Sequence, residues 1–392
     1  MTEPEDEANG LSLIRDDPFF RAQRAIGLIP PEGLGIARRA LFFTLISWLP
    51  VALWAAWRGH AFSGPLDEPL LHHFGVNVRC LIAVPLLIIA EGAAHSVTIR
   101  LLPHFIRAGI VTDNEAFHAV LERAKRARNR TMPWVIIGGL VFAWAIIAPA
   151  TRQEHDLLWA ASGVADAPNI GFGGWWYLYV ARPVYVTLVL AWLWRLFLLT
   201  RFMFYMSRLP LSLVPTHPDM HGGLGFLSAV PGAFSVVILA LSSVLCAGWA
   251  HDVKYHELSL ESLRLPAAAW LVLVMVLFLS PLLVFAPPLA RARKLARLDY
   301  AALVARHGRA VRERWINGKP VVTEQPLLDA PEIGPVADTI AMYDAVARMR
   351  PVPVGRFSLI AVLVPAIVPM IIVIALRVPI KELLISLFKA LT

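Results

Sequence analysis

Charge is scarce in this sequence. Only 16% of its 392 residues are Asp, Glu, Lys or Arg, against about a quarter in an ordinary soluble domain. Cysteine is scarcer still. Cys80 and Cys246 are the only two, too few for a disulfide framework or a cysteine-built zinc centre. The chain carries no glycine-rich phosphate loop, no His-Glu-x-x-His helix and no nucleophile elbow, so nucleotide hydrolysis within the chain is not expected. It lacks a basic-then-apolar opening as well. Glu3, Glu5, Asp6 and Glu7 stand near its start, and no cleaved signal peptide is expected.

Apolar residues fill the space that charge leaves. They make up 57% of the chain, and the mean hydropathy is +0.62. Seven apolar runs, at residues 40–57, 77–99, 132–150, 176–205, 225–249, 266–289 and 357–376, each approach the roughly 20 residues that a bilayer core requires. The expected fold is an all-α polytopic transmembrane bundle of seven spans. Residues 1–39 form an amino-terminal arm, and 40–289 hold six spans. Residues 290–356 form a basic helical segment ahead of the seventh span at 357–376, and 377–392 form an amphipathic tail. An odd number of spans argues against a simple inverted duplication.

The net charge of +8 does not require a nucleic-acid partner, and none is expected. Alternate loops explain it. The arm, 100–131, 201–222 and 290–356 together carry 26 Lys and Arg, whereas the intervening loops carry four. Such asymmetry places the amino terminus in the cytoplasm. The partners that follow are the lipid bilayer and anionic lipid at the basic face.

The fourth run opens with Trp175, Trp176, Tyr177 and Tyr179 and closes with Phe202, Phe204 and Tyr205, an aromatic belt at each interface. Pro281, Pro287 and Pro288 in the sixth run, and Pro365 and Pro369 in the seventh, are expected to kink their helices.

Two polar groups stand out against this background. In the second run Glu91 and His95 lie four residues apart on one helical face. Arg195 in the fourth lies at a similar depth, so Glu91 and Arg195 can pair across a helix interface. Ionisable groups inside a membrane are functional candidates by default, although the pair can equally serve only to fix the bundle. The second group is the loop between the fourth and fifth runs, Pro215-Thr216-His217-Pro218-Asp219-Met220-His221-Gly222-Gly223-Leu224-Gly225. Pro218, Gly222, Gly223 and Gly225 specify a tight turn. His217, Asp219 and His221 alternate, so an extended strand would point all three one way as ligands for a divalent metal, the one candidate cofactor. In the simpler reading Asp219 caps the fifth span. The topology places Glu91, His95, Arg195, His217 and Asp219 at one mouth of the bundle as a candidate polar site. On the other side His60, His72, His73, His251, Asp252, His256 and Glu257 form a weaker metal candidate.

The loop from His217 to Leu227, together with Gly174-Trp175-Trp176-Tyr177, Trp192-Leu193-Trp194-Arg195 and Arg350-Pro351-Val352-Pro353, resembles an uncharacterised family of multi-pass inner-membrane proteins of bacteria. The resemblance runs from the second span onward. It implies weight on His217 and Asp219, leaves the position of His221 free, and implies no substrate. Three functions stay open. The first is ion or small-solute permeation through the polar mouth. The second is a membrane enzyme using His217 and Asp219, with a metal or as acid and base, on a lipid-like substrate. The third is a sensor or assembly factor working through 290–349.

Overall fold

The computed structural model describes residues 14–15, 17–31, 33–62, 69–147, 159–162, 169–318 and 333–376. Apart from one antiparallel pair of two-residue strands, Ala161–Ser162 with Asn169–Ile170, its regular structure is helical. Seven helices are long and apolar enough to cross a membrane: Ile36–Trp57, Phe74–Arg107, Asn114–Ile147, Phe172–Met206, Gly225–Tyr255, Arg264–Leu283 and Arg356–Ala375. They are the seven expected, with shifted ends. The chain is a polytopic membrane protein. The amphipathic tail at 377–392, the end of the third run at 148–150 and residues 1–13 of the arm lie outside the described residues.

Side chains sort inside out relative to a soluble protein. On the apolar half of the third span Val135, Ile136, Leu140, Phe142, Ile146 and Ile147 all face outward. Lipid tails are as apolar as these side chains, so close packing and polar contacts hold the spans together, not the hydrophobic effect. The main core joins Leu87 and Ile88 of the second span to Trp192 and Leu196 of the fourth. Phe234 and Ile238 of the fifth, Phe278 of the sixth and Val362 of the seventh complete it.

Proline shapes two spans in the same way. The second span contains a π-turn at Val78–Ala83 immediately before Pro85, and the fourth contains one at Tyr177–Ala181 immediately before Pro183. A proline offers no N–H and its ring clashes with the carbonyl four residues back, and a widened turn accommodates both. Arg79 of the first π-turn donates to the Tyr177 hydroxyl of the second, so the two irregular turns face each other.

The sixth span departs from expectation. It ends at Leu283, and Pro287 and Pro288 lie in the first turn of a separate helix, Ala286–Val311. There the missing N–H costs nothing, so these prolines start a helix and do not kink one. Helix Ala286–Val311 packs along helix Ile333–Arg348 as a hairpin, and Arg293 Nη2 donates to the Ala347 carbonyl at 3.0 Å.

Candidate functional site

The arm begins its helix, Pro18–Ala25, in a way the sequence dictates. Asp17 is the N-cap and accepts the Phe20 N–H through Oδ1 at 2.6 Å, with Pro18 in the first turn. Its other oxygen, Oδ2, reaches Arg195 Nη2 at 3.1 Å. Arg195 sits about two-thirds of the way along the fourth span, Phe172–Met206, and donates through Nη1 to Glu91 Oε1 at 2.8 Å. The second Glu91 oxygen accepts from Arg39 Nη1, and Arg39 Nε donates to Gln23 Oε1 at 2.6 Å. The arm and the first, second and fourth spans thus meet in one chain of contacts, Asp17–Arg195–Glu91–Arg39–Gln23.

All five side chains are at most 3% exposed. Two guanidiniums oppose two carboxylates, so the group is formally neutral. That balance matters, because an isolated charge in so dry a place costs several kcal/mol or more. Burial pushes the Asp17 carboxyl above its ordinary value, while the Arg195 guanidinium and the Phe20 N–H draw it back in part. Trp192, one turn before Arg195, places its ring 5.3 Å from the Arg195 guanidinium carbon and donates through Nε1 to the Leu87 carbonyl at 2.8 Å. Phe20 covers Arg39 from the arm side at 5.6 Å. The first and second spans come close because residue 92 is glycine. A Cβ there would stand 2.5 Å from Ile36 Cδ1.

Glu91 and Arg195 therefore pair as their depth suggests, but sequence reasoning missed the three groups that complete the network. His95 lies one turn beyond Glu91, half-buried and within electrostatic reach of Arg15.

The loop after the fourth span is a separate structure. Asp219 Oδ1 accepts the backbone N–H groups of His221 at 2.8 Å and Gly223 at 3.2 Å, and Oδ2 accepts that of Gly225 at 2.7 Å. Gly225 opens the 3₁₀ stretch Gly225–Phe234 that begins the fifth span, so Asp219 does cap that span. Burial raises the Asp219 carboxyl, but the three N–H donors and the His217 ring outweigh it and hold the group below its ordinary value. Gly225 must be glycine, since a Cβ would meet Asp219 Cβ and Oδ2 at 2.8 Å. His217 Nδ1 stands 2.9 Å from Asp219 Oδ1.

The extended, three-ligand geometry expected of His217, Asp219 and His221 does not form. Met220 adopts φ 59° and turns the chain, His221 Nδ1 contacts the Asp219 carbonyl at 2.6 Å, and both Asp219 oxygens are taken by the backbone. Among the described residues no group of three or more His, Cys, Asp or Glu side chains is disposed to hold a metal ion. That includes the far side, where His73 and His251 lie with ring centroids 4.9 Å apart and His256 stands 5.5 Å from His251. There His60 Nδ1 instead meets the Trp159 carbonyl at 3.0 Å. Cys80 and Cys246 are both buried free thiols.

The loop is bound into its surroundings by main chain. Ser212 N–H donates to the Ile110 carbonyl at 2.8 Å and Arg350 N–H to the Met220 carbonyl at 2.7 Å. None of the partners of His217, Asp219 or His221 belongs to the Asp17–Gln23 network. Of the residues expected at one polar mouth, Glu91 and Arg195 thus belong to a buried charge network and His217 and Asp219 to a capping loop, with no side-chain contact between the two groups among the described residues.

Fold and site together define a polytopic helical membrane protein whose core holds a balanced, dry network of charges closed by its amino-terminal arm. Comparison of the chain with protein-family models, curated proteins and solved structures yields no match.

Proposed function

We propose that this protein passes an ion or small solute across a membrane, with Asp17, Arg39, Glu91 and Arg195 as its polar site in a closed state. One observation carries the reading. Four charged side chains are buried between three spans and a segment that precedes the first span. A bundle needing only adhesion has cheaper means, because intramembrane charge is costly wherever it is placed. Charges that must be desolvated to close a bundle are also the groups that attract a solute when it opens.

The loop distribution of Lys and Arg supports a cytoplasmic amino terminus, which puts the arm at the inner mouth. A bacterial inner membrane, and the family suggested by the His217–Leu227 loop, belong to the same proposal. The test is flux in proteoliposomes over a panel of anions and cations, for the natural protein, Asp17→Asn and Glu91→Gln. Flux that rises in Asp17→Asn, and disappears in Glu91→Gln protein that is still folded after reconstitution, supports the reading. Flux equal to that of empty vesicles in the natural protein and in Asp17→Asn overturns it.

A second reading has its own observation. The basic helix Ala286–Val311 leaves Leu295 and Leu298 62% and 65% exposed beside Arg291, Lys294 and Arg297, and the π-turn that follows leaves Trp315 and Ile316 59% and 76% exposed beside Arg312 and Arg314. Apolar side chains rimmed by basic ones suit an anionic lipid surface or a partner protein, as a sensor or assembly factor would require. Replacing Leu295, Leu298, Trp315 and Ile316 by Ser should then lose binding to anionic vesicles or to a co-purifying protein, while flux, if any, is retained.

A further inference from the structure

The charge network has an imbalance in its hydrogen bonds. Every carboxylate and amide oxygen in it has a donor. Gln23 Nε2, Arg39 Nη2 and Arg195 Nε are buried donors with no acceptor among the described residues. Their side chains are no more than 3% exposed. The surplus is entirely of donors, and two of the three belong to guanidiniums.

Asp17 differs from the other charged members. Glu91, Arg39 and Arg195 are fixed on spans, whereas Asp17 is the N-cap of the arm helix, Pro18–Ala25, which precedes them and also carries Gln23. Its carboxylate holds Arg195 through one oxygen only, the other being committed to the helix cap. A guanidinium can take a carboxylate or phosphate through two parallel bonds, so the seat is under-used. Without Asp17, two guanidiniums face one carboxylate, leaving one net positive charge in a dry site.

We infer that Arg39 and Arg195 form a binding site for a small oxyanion, a carboxylate or a phosphate group, and that Asp17 occupies it as an internal stand-in when the arm is docked. This deepens the permeation reading and rests on it for the direction of transport, though not for binding. The surplus donors supply the extra bonds, and Glu91 orients both guanidiniums from behind. Burial already works against the ionised Asp17 in this seat, so an incoming anion that brings two acceptor oxygens competes with a weak incumbent. The anion can come from solution or from a lipid headgroup.

The experiment uses the full chain in neutral detergent with Asp17→Asn and Asp17→Ser. Both keep a side-chain oxygen for the helix cap but remove the charge. Thermal unfolding is followed against formate, acetate and inorganic phosphate, with chloride matched for ionic strength. The expected result is that either variant melts lower than the natural protein and is restored by the oxyanions, with an apparent affinity at least about tenfold tighter than the natural protein shows. Adding Arg195→Gln should erase the response. If restoration instead requires nanodiscs of phosphatidylglycerol and fails in phosphatidylcholine, the oxyanion is a lipid phosphate. A variant recoverable only when an oxyanion is present gives the same answer. Equal responses in natural and variant proteins, no response in either, or failure of both variants to fold with oxyanions present would overturn the inference. Binding is read at equilibrium. Binding without flux would sink the permeation reading alone, and cation flux without oxyanion binding would sink this inference alone.

Discussion

Arg195 of the fourth span and Glu91 of the second are joined by an Nη1–Oε1 bond of 2.8 Å with both side chains at most 2% exposed. Glu91 is also held by Arg39, so one carboxylate on the second span binds guanidiniums from the first and the fourth. Removing its charge leaves two buried cations and one carboxylate, Asp17, which reaches only Arg195. Glu91→Gln is expected to destabilise the fold by about 3–5 kcal/mol, as does breaking a buried pair from one side. Arg39→Gln in the same chain restores neutrality, and the double variant should be more stable than the sum of the single losses by about 0.5–3 kcal/mol. Unfolding in mild detergent measures both, and simple additivity would show that the charges do not act as a unit.

The capping loop gives a steric prediction. A Cβ at residue 225 would meet the Asp219 side chain at 2.8 Å, and Asp219 cannot retreat without dropping three backbone N–H groups. Gly225→Ala should therefore cost about 1–3 kcal/mol, the usual range for overpacking a tight site. Asp219→Ala should cost about 1–3 kcal/mol through its stranded donors. Hydrogen exchange at the start of the fifth span should rise in both. An unchanged exchange rate in Asp219→Ala would show that the cap does not hold that end of the helix.

The same cap sets a pH dependence. The folded Asp219 carboxyl lies below its ordinary value because backbone N–H donors favour the ionised form more than burial opposes it. A depressed carboxylate stabilises the fold fully above its unfolded pKa, about 3.9, and that contribution is lost as pH falls through the lower folded value. In a His217→Ala background, which removes the neighbouring imidazole, the melting difference between Asp219 and Asp219→Asn should stay constant from about pH 8 to 5. It should shrink only in acid below about pH 4. A difference that shrank near neutrality would contradict the assigned donors.

Much of this was legible in the sequence, and the exceptions have physical causes. Seven spans stand out because a bilayer requires long apolar runs, and Glu91 and Arg195 stand out because charge inside such runs is rare. Arg39 was hidden by a boundary. The apolar run begins at Ala40, but the helix begins at Ile36, which carries Arg39 a full turn into the first span. Asp17 was hidden by distance, since its partner is 178 residues away. The one local clue was an aspartate before a proline, the mark of a helix start. His217, Asp219 and His221 misled because alternation places side chains on one face only in an extended chain, and Met220 takes a left-handed conformation that ends the extension. Pro287 and Pro288 misled because a proline can begin a helix as readily as bend one.

At the end of the bundle away from the arm, packing and not charge fixes the first span against the fourth. Trp54 lies against Gly171 and Gly173, where a Cβ would come within 2.0 Å of its Cζ2 and 2.4 Å of its Cε3. Its ring also meets Trp159 edge-on at 6.4 Å and His60 at 6.0 Å, and nearby Trp176 donates through Nε1 to the Ile46 carbonyl at 2.8 Å. The glycines are there because the indole is. Gly173→Ala must push the ring aside and should cost about 1–3 kcal/mol, while Trp54→Leu should cost up to about 3–5 kcal/mol through the cavity it leaves. Once the ring is gone the added methyl has room, so Gly173→Ala in the Trp54→Leu background should cost almost nothing or recover some stability. The check is a double-mutant cycle on unfolding in detergent. Equal costs of Gly173→Ala in the two backgrounds would mean that the ring does not set the glycine, and that the first span is seated on the fourth by some other contact.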